Sequence, residues 1–165
     1  MNEVMCLAED NKLNIYYQDT DSMHIKQKDI AILAKKFEDT YNRELIGKGM
    51  GQFHTDFDSD ILQGDIHAVE CLFLGKKCYI DQLVGDKDGV YDYHIRMKGV
   101  PNGSIKYKAK TEGRDVLDIY KSLYKGNREE FDLCCGGDKV CFEYNANFTI
   151  STKLKFTGSL SLTNN

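Results

Sequence analysis

Over the first ten residues the apolar side chains Val4, Leu7 and Ala8 recur three and four apart, which places them on one face of a helix over residues 2–10. That helix begins without a cap or lead-in, as expected of a piece cut from a longer chain. Asp10-Asn11 break the pattern, and Leu13–Tyr17 is rich in β-favouring residues. A polar tip, Gln18-Asp19-Thr20-Asp21, separates this strand from a second one over Ser22–Lys26, so the two form a hairpin with acids at its turn. Ile30, Leu33, Ala34, Phe37, Tyr41 and Leu45 then return to helical spacing, with Asp29 placed to cap that helix and Gly47 to stop it.

Beyond Gly47, Gly49 and Gly51, residues Gln52–Phe57 read as a strand. Alternation of Val69, Cys71 and Phe73 gives another, which Gly75-Lys76 turns into Lys77–Leu83 as a hairpin. Gly85–Gly89 is a surface loop, Tyr91–Gly99 a strand and Pro101-Asn102-Gly103 a turn. Asp115–Lys125 is a short amphipathic helix carrying Val116, Leu117, Tyr120, Leu123 and Tyr124, and Val140–Leu162 reads as short strands. Helices and hairpins mixed in this way define an α+β class, and no internal repeat is visible.

Composition narrows the picture modestly. With 165 residues the chain forms one domain or two small lobes, and 41% hydrophobic with 29% charged residues describes an ordinary globular protein. No run approaches the roughly 18 apolar residues of a membrane span. The opening Met1-Asn2-Glu3-Val4-Met5 lacks a basic, then apolar, secretory leader, so a cytosolic or nuclear location and no membrane partner are expected. Cys6, Cys71, Cys78, Cys134, Cys135 and Cys141 do not have paired zinc-ligand spacing and are expected to be reduced thiols. The net charge of −4 conceals an asymmetry: residues 1–75 carry 7 basic and 14 acidic side chains, 76–110 carry 8 and 4, and 111–165 carry 7 and 8. An acidic block followed by a basic one suits a protein that holds metal ions first and a phosphate backbone second.

The sharpest candidate for chemistry is the hairpin tip, Tyr16-Tyr17-Gln18-Asp19-Thr20-Asp21-Ser22. Two carboxylates two residues apart on a tight turn repel one another, and a divalent cation makes the arrangement favourable because hard oxygen ligands suit magnesium. A bare D-x-D is satisfied equally well by turn chemistry alone. Here the string is longer, and it resembles Y-x-D-T-D-S, the motif C of family B DNA polymerases. Residues 17–25 (YQDTDSMHI), then Gly75-Lys76-Lys77-Cys78-Tyr79, then Met97-Lys98-Gly99 come in the order of the palm and thumb of the protein-primed members of that family. The resemblance covers essentially the whole chain.

That resemblance implies a C-terminal palm portion over residues 1–84 with the motif C hairpin at its centre, and a thumb over 85–165. It implies that Asp21 ligates the catalytic metals directly and that Asp19, the other catalytic aspartate, supports the site. Tyr17 would lie beside the primer end, Lys77 and Tyr79 would form the Lys-x-Tyr element that holds the primer strand, and Lys98 would lie close to the duplex. The cofactor implied is Mg2+ at a two-metal site, and the partners are primer–template DNA, a dNTP, a terminal priming protein and the remainder of the polymerase. The activity implied is template-directed DNA synthesis by nucleotidyl transfer.

Motif A (D-x-x-S-L-Y-P), which supplies the other metal-binding aspartate, is absent from this sequence, as are motif B (K-x-x-x-N-S-x-Y-G) and the exonuclease carboxylates. The chain alone is therefore expected to be inactive. Other readings stay open: one subunit of a split polymerase, a non-catalytic DNA-binding remnant, or an unrelated two-metal nuclease, against which the Lys-x-Tyr element argues. Two lesser candidates fail on their residues. Asp56-Phe57-Asp58-Ser59-Asp60 opens like a calcium loop but has Ile61 and His67 where glycine and glutamate are required. Gly47-Lys48-Gly49-Met50-Gly51 lacks the phosphate-loop form, and His24, His54, His67 and His94 show no ligand spacing.

Overall fold

In the computed structural model, which describes residues 1–133 together with the backbone of 138–144 and 150–156, the chain divides into two units, Met1–Phe57 and Asp58–Asn165. Each is mixed in its secondary structure, and every sheet is antiparallel, as the α+β class requires.

The first unit is built from α1 (Asn2–Asp10), β1 (Ile15–Gln18), β2 (Met23–Ile25) and α2 (Gln27–Tyr41). Val4, Leu7 and Ala8 of α1 bury the face that their spacing defines, and they share a core with Leu33, Phe37 and Leu45. Ile15, Met23 and Ile25 of the hairpin lie against that core, so the two short strands have an apolar floor that an isolated hairpin lacks. Arg43 ties the two helices together: its guanidinium donates to Glu3 at 2.6 Å and lies over the rings of Phe37 and Tyr41.

Three local expectations are corrected here. The N-cap of α2 is Lys26 and not Asp29, which sits inside the first turn, where a carboxylate favours the helix dipole. The helix ends at Asn42, in a left-handed conformation (φ 52°, ψ 40°) with its N–H donating to the Glu38 carbonyl, well before Gly47. Ile30, in the first turn of this helix, is 40% exposed. Residues 52–57 form no strand, only an isolated parallel bridge between Ile46 and Phe53.

The second unit begins with a meander, β3 (His67–Gly75), β4 (Cys78–Val84) and β5 (Asp92–Met97), with β4 in the middle. The register pairs Cys71 with Asp81, Phe73 with Tyr79, Tyr79 with Arg96 and Asp81 with His94. One face carries Leu74, Cys78, Ile80, Ile95 and Met97 into a core shared with α3 (Asn102–Glu112), α4 (Val116–Tyr124) and Phe131 of β6 (Glu129–Asp132). The inward residues of β3 are Leu72 and Leu74, whereas Val69 is 54% exposed. Val69, Cys71 and Phe73 alternate onto the opposite face, and Val69 sits at the register irregularity between Ala68 and Glu70.

Asp115 caps α4 by accepting from the Leu117 N–H at 2.8 Å, and the same carboxylate accepts from the Tyr93 hydroxyl at 2.9 Å. Tyr120, fully buried, donates its hydroxyl to the Arg96 carbonyl at 2.8 Å and so fastens α4 to β5. The segment at Pro101-Asn102-Gly103 is the start of α3 and not merely a turn. Lys108 and Arg114 hold the nearly buried Glu129 of β6 at 3.1 and 2.8 Å. Desolvation alone would raise the Glu129 carboxyl, but the bonds from Arg114 and its neighbours outweigh it and hold the group below its ordinary value. β6, β7 (Asp138–Tyr144) and β8 (Ile150–Phe156) form a further sheet in that order. Residues 145–149 and 157–162 of the expected C-terminal strands lie outside the described residues, as do the side chains of Cys134, Cys135 and Cys141. The division expected at 84/85 falls between β4 and β5, which pair along six positions of one sheet.

Candidate functional site

The hairpin tip belongs to the first unit. Gln18 pairs with Met23, and the Asp19 N–H donates to the Ser22 carbonyl at 3.1 Å, which closes a turn with Thr20 and Asp21 at its apex. One oxygen of Asp19 is used within that turn, accepting from the Thr20 N–H at 2.9 Å and from its hydroxyl at 3.3 Å. Asp19 is thereby half-buried and oriented, while Asp21 is exposed. Among the described residues Asp21 makes no ion pair or hydrogen bond, so no lysine or arginine neutralises it. Tyr17 pairs across the hairpin with His24, edge to face, with ring centroids 5.4 Å apart.

Carboxylate oxygens on an exposed turn are the donor type that magnesium takes. The hairpin contributes two carboxylates, Asp19 and Asp21, and among the described residues no three His, Cys, Asp or Glu side chains are grouped to hold an ion. The donor type suits a hard divalent cation.

Lys77, Tyr79 and Lys98 all belong to the second unit. Lys77 stands at the turn between β3 and β4 with a positive φ of 59°, and its carbonyl accepts from the Lys98 N–H at 2.9 Å. Both lysines are exposed, so the fold brings two cations 21 residues apart in sequence to one end of the sheet. Alternation along β4 puts Tyr79 and Asp81 on the face opposite Cys78 and Ile80. Tyr79 is only 8% exposed, with its ring beside Phe73 (centroids 6.1 Å) and His94 (5.7 Å).

Two residues on this face, Arg96 and Asp81, were not singled out from sequence. Arg96 is exposed and lies directly across from Tyr79, two residues before Lys98 and so on the same side. Asp81 is completely buried and accepts from His94 Nδ1 at 3.0 Å; since a carboxylate only accepts, Nδ1 carries the proton. Cys71 lies across from Asp81 in the register, and desolvation first, then the charge of Asp81, pushes its thiol up to about 12. Cys71 is thus held as the neutral thiol. The signal for Arg96 was the alternation His94, Arg96, Lys98, which marks one face of a strand.

No family model, curated protein or solved structure matches the chain. Among the described residues no helix is long and apolar enough to cross a membrane.

Proposed function

We propose that this chain is the C-terminal palm and thumb portion of a protein-primed family B DNA polymerase and takes part in template-directed addition of deoxynucleotides to a 3′-hydroxyl. The observation that carries the reading is the Y-x-D-T-D-S string lying at the tip of an antiparallel hairpin with Asp21 exposed and unneutralised. Asp21 is the direct metal ligand and Asp19, partly engaged in its own turn, the supporting one. When bound, magnesium ions lower the pKa of the primer hydroxyl and hold the departing pyrophosphate. Lys77 and Lys98 meet backbone phosphates and the Tyr79 phenol offers a hydrogen bond to the primer strand. The partners are primer–template DNA, a dNTP, a terminal priming protein and the polypeptide that carries motifs A and B.

Primer extension tests the reading. The purified chain with primed template, dNTPs and magnesium should give no product, because half of a two-metal centre cannot hold both ions in register. Adding a polypeptide that bears motifs A and B should restore extension, and Asp21→Asn should abolish it. Robust extension by the chain alone, or a restored reaction indifferent to Asp21→Asn, overturns the proposal.

A further inference from the structure

We infer that the Asp81–His94 pair is a positioning device for Tyr79, acting through the His94 ring to fix where the phenol meets the primer strand; this rests on the Lys-x-Tyr reading given above. Desolvating a carboxylate is costly, and an apolar pair would fill this face of the sheet without that cost. What the ionisable pair provides is orientation. Asp81, completely buried on the central strand, accepts from His94 Nδ1 at 3.0 Å and so sets both the tautomer and the plane of the imidazole. Cys71 on the opposite neighbouring strand pairs with Asp81 in register, so β3 and β5 flank the residue on both sides.

The imidazole fixed in this way lies against Tyr79, with centroids 5.7 Å apart and planes inclined at 55°. Phe73 supports the same ring from β3 at 6.1 Å and 53°. Tyr79 is therefore caught between two rings from flanking strands, one of them anchored by hydrogen bonding, and the phenol direction is set before any ligand arrives. Ordering a side chain in advance removes that cost from binding. Asp81 and His94 are positioning residues, two rungs from the exposed lysines, and neither is required to touch DNA.

A double-mutant cycle distinguishes this role from simple support of the fold. Affinity for a labelled primer–template with a recessed 3′ end is measured by fluorescence anisotropy. Tyr79→Phe should weaken binding by about three- to tenfold, the worth of one hydrogen bond. His94→Asn keeps an N–H for Asp81 but removes the ring, and should weaken binding to a similar degree. Combined with Tyr79→Phe it should add nothing further, whereas combined with Lys77→Ala the two losses should multiply. If the His94→Asn and Tyr79→Phe losses multiply as well, the pair does not act through Tyr79 and the inference falls while the Lys-x-Tyr reading stands. If Tyr79→Phe leaves affinity unchanged, that reading of Tyr79 fails and the inference with it. Urea unfolding checks that His94→Asn is folded; should it not be, the same cycle is run with Asp81→Asn. In the unmutated chain, the fluorine resonance of 3-fluorotyrosine at position 79 must shift when the primer–template is added, and an unmoved signal overturns the inference.

Discussion

Asp21 stands at the apex of a hairpin, in solvent, with no described partner, whereas Asp81 on β4 is completely buried and bonded to His94. Both are aspartates on or beside short antiparallel strands, yet only one of them is needed by the fold. A buried charge without a partner would unfold its surroundings, so Asp81 comes with its partner built in. An exposed charge costs almost nothing to leave open, and an open carboxylate is what a cation can occupy. The pairing of a carboxylate, and not its presence, separates structural acid from available acid in this chain.

The largest effect expected from this comparison is on stability. His94→Leu leaves Asp81 buried without its ring donor and should cost the second unit about 3–5 kcal/mol in urea unfolding. Asp21→Asn should change stability by no more than about 0.5 kcal/mol, the range of surface substitutions. Equal costs for the two would break the distinction.

Acid sharpens it further. The carboxyls of Glu112 and Glu129 are held low in the folded state, Glu112 chiefly by Lys108, and Glu129 by Arg114 and its neighbours against the opposing effect of burial. A depressed folded pKa contributes stability that is present above the ordinary value of 4.5 and is lost as the pH falls below it. Thermal unfolding of the second unit should accordingly shift downward as the pH drops from 5 to 3, and Arg114→Ala should flatten that dependence. An unchanged pH profile in Arg114→Ala would remove the ion network from the explanation.

The smallest effect concerns the exposed lysines at the end of the sheet. Lys77→Ala should lower the slope of log affinity against log salt for duplex DNA by about 0.9, the worth of one phosphate contact. Asp21→Asn removes no cation and should leave that slope unlowered. A Lys77→Ala chain with the parent affinity and slope would show that this end of the sheet does not face phosphate.

The hairpin and α4 were legible in the sequence because each carries its own local chemistry. Asp19 and Asp21 sit between two β-favouring runs, and Asp115 precedes an apolar stripe that it caps. α3 was hidden because Pro101-Asn102-Gly103 reads as a turn, while Lys106, Lys108 and Lys110 surround an apolar face of only Ile105 and Ala109. The alternation of Val69, Cys71 and Phe73 marks β3 as a strand but does not say that its other face, with Leu72 and Leu74, is the one that meets the core. Asp81 and His94 are 13 residues apart, and only the antiparallel pairing of β4 with β5 makes them neighbours. What the sequence conceals here is non-local pairing.

Lys77 holds a backbone conformation that glycine or asparagine adopts more readily, at a cost of roughly 1 kcal/mol for a side chain of this kind. The β3–β4 turn is thus less stable than it could be. A laboratory search for heat-resistant variants of this chain would be drawn to replace Lys77, and would discard a cation at the end of the sheet while reporting an improvement. Ranking variants by melting temperature alone would select against the residue that the proposed interface needs.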